Sequence, residues 1–91
     1  MKATVIDEKD NVAVVLGAVK AGEEITWVRA GQTVAATAQG DIPIYHKIAS
    51  LPIKKGQPVV KYGEHIGLAA EDIPVGAHVH VHNVLNNREA L

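Results

Sequence analysis

The sequence predicts a mostly β, single-domain protein built from short strands and tight turns. Three observations carry this. The chain has 91 residues, one domain's worth. Its apolar fraction, 47%, comes from Val, Ile, Ala and Leu, with no Phe, one Trp and two Tyr. Such a β-branched composition favours strands over helices. Finally, Gly and Pro interrupt the chain so regularly that no segment keeps a long helical period.

The elements follow in order. Lys2–Asp7 and Asn11–Leu16 are β-rich runs, and the EKDN between them has turn chemistry, because Asp and Asn tolerate left-handed backbone. They read as an opening hairpin. Ile25–Arg29 and Gln32–Ala38 flank Ala30-Gly31 and read as a second hairpin. Pro43, Pro52, Pro58 and Pro74 punctuate the remainder. Ala49–Ile53 and Glu64–Ala70 are the places for a single helical turn.

A weak repeat runs through these elements. Val19-Lys-Ala-Gly22-Glu-Glu-Ile25, Ile53-Lys-Lys-Gly56-Gln-Pro-Val59 and Ile73-Pro-Val-Gly76-Ala-His-Val79 share the pattern apolar-x-x-Gly-x-x-apolar. Ile42-Pro-Ile-Tyr45-His-Lys-Ile48 fits too, with Tyr in the Gly slot. The pattern describes an apolar anchor, a tight turn that needs φ > 0 at Gly, and entry into a strand. Single glycines are weak signals, so coincidence among ordinary β turns is the competing explanation.

Charge and composition exclude several functions. Net charge is −1, Lys and Arg are scattered, and aromatics for base stacking are few, which argues against nucleic acid. Cysteine is absent, so no disulfide framework, thiolate nucleophile or Cys-based zinc knuckle exists. The start, MKATVIDEKDN, lacks the apolar core of a signal peptide, and no apolar run approaches membrane-spanning length. A soluble cytoplasmic protein is expected.

Residues 77–83, AHVHVHN, hold the sharpest chemical signal. Alternation puts His78, His80 and His82 on one strand face and Val79 and Val81 on the other. Neighbouring His Cα atoms would lie about 6.6 Å apart, and the outer pair about 13 Å. On a straight strand at most two of the three can share one metal ion. Further ligands would come from His46 or His65, or from the oxygens of Asp41, Glu64, Glu71 or Asp72. Neutral imidazole suits zinc, iron and similar metals. The competing explanation is the polar face of a half-buried strand. His46-Lys47 offers an acid/base group beside a cation, and Lys61-Tyr62 offers a carboxylate-binding cation beside a hydrogen-bond donor. Each pair is also compatible with a solvated turn. No Ser/His/Asp order, phosphate loop or calcium loop is present.

Taken together, DNVAVVL, AGEEI, DIPIYHKIA, KKGQPVVKYGEHIG and GAHVHVHN resemble the small domain of the altronate/galactarate dehydratase family, which includes the sulfolactate sulfo-lyase small subunit. The resemblance runs from Lys2 to Val84. It implies a SAF-like β-clip domain over residues 1–84, with 85–91 as a C-terminal tail. It also implies a metal-dependent β-elimination on a sugar acid or related hydroxy acid. In that reaction a proton leaves the carbon α to a carboxylate, and water or sulfite leaves the β carbon. The implied metal is divalent, iron (Fe2+) first, with Mn2+ or Zn2+ as alternatives. The implied partners are a large catalytic subunit and the small hydroxy-acid substrate. A homo-oligomer is compatible with the composition.

Carried over residue by residue, the resemblance assigns His46 and Lys47 to catalysis. It assigns Lys61, Tyr62 and Asn83 to substrate, and His78, His80 and His82 to the metal. Tyr45 departs from the family pattern, which has Gly before His-Lys. Either the turn has changed or Tyr45 projects into the site. The expected function is the small subunit of a hydroxy-acid lyase, silent without its partner. The rival is a non-catalytic SAF-type module that binds carbohydrate or protein, and the bland alternative is a purely structural domain.

Overall fold

The computed structural model describes residues 1–88 and is mostly β, with nine short strands and no helix. Among the described residues no helix is long and apolar enough to cross a membrane. Glu89 to Leu91, the last three residues of the expected tail, lie outside the described residues.

The opening hairpin forms in shortened form. β1 (Ala3–Thr4) pairs antiparallel with β2 (Val12–Val15), Ala3 opposite Val15. The strands stop short because Asp side chains compete for the intervening backbone. Lys9 N–H donates to Asp7 Oδ1 (2.9 Å) and Asp7 N–H to Asp10 Oδ2 (3.1 Å). Asp10 is fully buried and its Oδ1 also accepts the N–H of Gly63 at 2.8 Å.

β3 (Glu24–Arg29) and β4 (Gln32–Thr37) form the expected second hairpin. Its two-residue turn has positive φ at both Ala30 (50°) and Gly31 (76°), the hairpin geometry that follows strand twist. A third hairpin corrects the sequence reading. β6 (Pro58–Lys61) pairs with β7 (Glu64–Ala69), so the segment read as a single helical turn over Glu64–Ala70 is a strand. Tyr62 (57°) and Gly63 (72°) make the same kind of turn and fold β7 back along β6. The other candidate turn, Ala49–Ile53, is also not helical. β5 (Lys47–Ala49) ends and the chain bends before Pro52, which disfavours helical backbone at the residue preceding it.

The repeat proves geometric. Turns 20–23, 43–46, 54–57 and 74–77 each close with a hydrogen bond from the fourth residue's N–H to the first residue's carbonyl, at 2.9–3.1 Å. Their third residues, Gly22, Tyr45, Gly56 and Gly76, all have positive φ (86°, 66°, 85° and 87°). Val19 bridges Ile42 and Ile53 bridges Ile73, both antiparallel. Asp41 Oδ1 accepts the N–H of Ala21 at 2.9 Å, and Asp72 Oδ1 accepts that of Lys55 at 2.8 Å. The chain is thus two similar halves, each carrying one of the later hairpins.

The halves meet at β2 and β5, the inner strands of a four-stranded sheet ordered β1-β2-β5-β8, with β8 at His78–Val79. Alternate residues of these inner strands point to opposite faces. Ala13, Val15 and Ile48 enter one core with Val19, Ile25, Trp27 and Ile42. Val12 and Ala49 enter the other with Ile53, Val59, Ile73 and Val79. β9 (Val84–Leu85) joins the outer edge of β7, and Arg88 N–H reaches Ile66 O at 2.8 Å.

Candidate metal centre

The turns at 43–46 and 74–77 position the histidines. His46 ends the 43–46 turn and its carbonyl accepts the N–H of Val15 at 3.0 Å, which fixes the entry to β5. His78 opens β8, where it lies opposite Ile48 on β5. Antiparallel pairing therefore brings together two rings separated by 32 residues, with His46 Nδ1 and His78 Nε2 2.9 Å apart.

The straight His-bearing strand is corrected by the structure. β8 spans only His78–Val79, and the chain turns over residues 80–83, with Asn83 N–H donating to His80 O at 3.1 Å. Asn83 is buried and its amide drives the turn. Its Oδ1 accepts His80 N–H at 2.9 Å and its Nδ2 donates to His78 O at 2.8 Å. The residue expected to bind substrate thus has its amide engaged with the backbone that carries the histidines, which makes it a positioning residue.

The turn stacks the rings. Ring centroids of His46 and His80 are 4.2 Å apart, those of His78 and His80 5.4 Å, and those of His78 and His82 5.2 Å. The ligand nitrogens of His46, His78 and His80 all lie within 4.8 Å of one another. All three rings are half-buried. The group joins two histidines of the run to His46, which the sequence offered both as an acid/base residue and as a further ligand, and leaves His82 outside it. Nitrogens sharing one tetrahedral ion lie about 3.3 Å apart for bonds of roughly 2.0–2.1 Å, so the spacing of the three is compatible with one cation.

The electrostatics favour that use. Burial, then the charged forms of His46, His82, His80 and Lys47, lower the pKa of His78 to about 4. His78 is therefore neutral at neutral pH, the form that donates a lone pair to a metal. Lys47 is only 3% exposed and lies on β5, its backbone paired with Val14 and Val79.

The structure leaves Lys61 and Tyr62 elsewhere. Lys61 ends β6 and Tyr62 opens the β6–β7 turn, with Lys61 Nζ 5.1 Å from the Tyr62 ring centroid. That turn packs on the Asp7–Asp10 loop, at the end of the β2–β5 ladder away from His46. His65 is exposed on β7 and lies outside the three-histidine group. Beyond the cluster, a cavity of about 250 Å³ opens against His78 and His82 and includes Gln39, Glu71 and Asp72 in its walls. Glu71 and Asp72 were candidate oxygens in the sequence; nothing in the local pattern around Gln39 marks it.

The altronate/galactarate dehydratase SAF domain model matches residues 1–87 of this chain. The chain belongs to that family. It is 39% identical to the altronate dehydratase of Bacillus subtilis (strain 168) over 82 residues, which are 90% of this chain and 16% of that protein. It is 50% identical over 52 residues to the (2R)-sulfolactate sulfo-lyase subunit alpha of Paracoccus pantotrophus, covering 57% of this chain and 78% of that protein. The subunit alpha of Chromohalobacter salexigens is 39% identical over 84 residues, covering 90% and 88% respectively. The chain therefore spans about one-sixth of the dehydratase and most of the length of each subunit alpha.

Proposed function

We propose that the chain is the small component of a metal-dependent hydroxy-acid lyase, whose site is completed by a separate, larger catalytic polypeptide. The observation that carries this reading is the convergence of His46, His78 and His80, whose ligand nitrogens all lie within 4.8 Å of one another. The relatives support it from two sides: one is a dehydratase more than six times longer than the matching segment, and others are subunits matched over 78% and 88% of their own length.

His46, His78 and His80 would hold a divalent cation, Fe2+ first and Mn2+ or Zn2+ otherwise. A cation there would offset the charge that develops on a substrate carboxylate as its α-proton leaves. Asn83 holds the backbone of two of these ligands. Lys47, beside His78, supplies positive charge toward the substrate's acid end. The three histidines would hold the ion only in part, and the groups that take the α-proton and protonate the leaving group would belong to the larger chain. The reading places the assembly in the cytoplasm.

The test is metal uptake by the full chain followed by reconstitution. Calorimetric titration with Zn2+ or anaerobic Fe2+ should show one ion per chain, lost in the His46→Ala, His78→Ala double variant. Elimination from a hydroxy acid should need metal, this chain and its larger partner together. Absence of metal uptake, or turnover by the isolated chain, would refute the proposal.

A further inference from the structure

A strand at the edge of a sheet leaves a row of main-chain N–H and C=O groups unpaired. Folded proteins blunt such edges by shortness, proline, charge or a covering segment. Most edges of this fold are blunted in those ways. β1, β8 and β9 have two residues each. β6 begins at Pro58, and the side chain of Asn11 closes its outer edge. There Asn11 Nδ2 donates to Pro58 O at 2.9 Å and Oδ1 accepts Val60 N–H at 2.8 Å. The start of the chain covers the outer edge of β3, where Thr26 N–H donates to Met1 O and the Met1 amine to Glu24 O, both at 2.9 Å.

Among the described strands β4 is the exception. It has six residues, pairs only with β3, and lies in a stretch (AGQTVAATAQG, residues 30–40) that holds neither charge nor proline. The hairpin closes at the Arg29–Gln32 pair, and Ala38 N–H donates to Glu23 O at 2.9 Å. Even-numbered residues of β4 therefore bond to β3, while Thr33, Ala35 and Thr37 turn their main-chain groups outward. The Thr37 end is covered, because its carbonyl abuts Gly76 and Gln39 N–H donates to Gly76 O at 3.1 Å. Among the described residues, nothing pairs with the outward main chain of Thr33 and Ala35. Val34 and Ala36, between and beside them, stay half-buried at the rim of the first core.

We propose that this edge pairs with the same edge of a second copy of the chain, forming a two-fold dimer with a continuous sheet ordered β3-β4-β4-β3. Antiparallel pairing about Val34 sets Thr33 of each copy opposite Ala35 of the other, and each such pair exchanges both of its hydrogen bonds. On the core-facing side it sets Val34 against Val34, an apolar β-branched pair that extends the first core across the junction. A second copy fits because the segment is its own complement. It brings no charge to repel its twin, and its free donors meet free acceptors under the two-fold. The proposal does not depend on the lyase reading. One short strand makes a small interface, so half-association falls at about 0.1–1 mM.

Sedimentation equilibrium of the full chain, from about 10 μM to about 2 mM, tests this. The average mass should rise from 9.7 kDa towards twice that value and stop there, because each copy offers one open edge. Over the same series the amides of Thr33 and Ala35 should shift in NMR spectra and exchange more slowly with solvent. Ala35→Lys sets like charges at the junction and should weaken association by about 10-fold or more. Ala35→Pro removes an outward N–H that β3 does not use, and should do the same while the fluorescence of buried Trp27 stays native. Leu85→Lys, at an exposed apolar position on β9, should leave association unchanged. A chain that stays monomeric throughout, that grows past the dimer, or whose dimer ignores both Ala35 variants would overturn the proposal. So would an equal loss in Leu85→Lys, which would assign the association to general apolar contact.

Discussion

Replacing Tyr45 with glycine should make the protein more stable. Tyr45 sits at the third position of its turn with φ of 66°, where the three sister turns use glycine. Left-handed backbone costs a residue with a Cβ about 1–2 kcal/mol. The turn's closing hydrogen bond, His46 N–H to Pro43 O at 3.1 Å, is intact, so the strain is borne rather than relieved. The side chain is 66% exposed and contributes little packing that glycine would forfeit. Glycine's greater freedom in the unfolded chain returns about 0.5–1 kcal/mol of the gain. The net expectation is stabilisation of about 0.5–1 kcal/mol, or a rise in Tm of about 2–8 °C for a chain of this size. Urea unfolding followed by fluorescence of Trp27, the chain's single and buried tryptophan, measures it. Tyr45→Ala is the control, because it deletes the phenol but keeps the Cβ penalty. A Tyr45→Gly variant that is less stable than the parent, or an alanine variant equally stabilised, would refute the strain argument.

Other predictions follow from the same geometry. Gly76→Ala should destabilise by about 3 kcal/mol, because a Cβ there runs into the carbonyl of Thr37 at a positive φ of 87°. Gly56→Ala, with nothing within 4 Å, should cost only about 1 kcal/mol, and equal losses in urea unfolding would disprove the distinction. Asn83→Ala strips partners from His80 N–H and His78 O, so stability should fall by about 1–3 kcal/mol and Zn2+ affinity should fall with it. An unchanged calorimetric affinity would show that the turn does not position the ligands. In metal-free protein His78 binds its proton more weakly folded than unfolded, about 4 against 6.5. Stability is then full above pH 6.5 and falls as pH drops toward 4, by about 1–2 kcal/mol after allowance for solvent screening. His78→Ala should flatten that slope; an identical slope in both proteins would place the titration elsewhere.

Local chemistry made much of the fold legible in the sequence. β-branched runs become strands wherever a turn lets them pair, so the hairpin around Ala30-Gly31 and the four-fold turn pattern could be read from residue types alone. Even Tyr45 was marked by its place in that pattern, though only the coordinates show that the turn keeps its shape around it. The hairpin at Tyr62-Gly63 was missed because tyrosine is a poor left-handed residue, and the glycine after it looked like part of a binding motif. The site divided in the same way. Alternating His and Val announced a cluster of imidazoles, and the family resemblance covered nearly the whole chain.

Which rings converge was a tertiary decision. A strand's period fixes the faces of adjacent residues, but it cannot say where the strand ends. The buried amide of Asn83 ends it after Val79 and turns His80 back. Pairing of β5 with β8 then delivers His46 from 32 residues away. The cavity walls likewise come from three separate segments, and no stretch of sequence records that they meet. The sequence alone determined the supply of ligands and the turns that could carry them. Long-range antiparallel pairing decided which of them share one site, because that depends on register across the sheet and not on spacing along the chain.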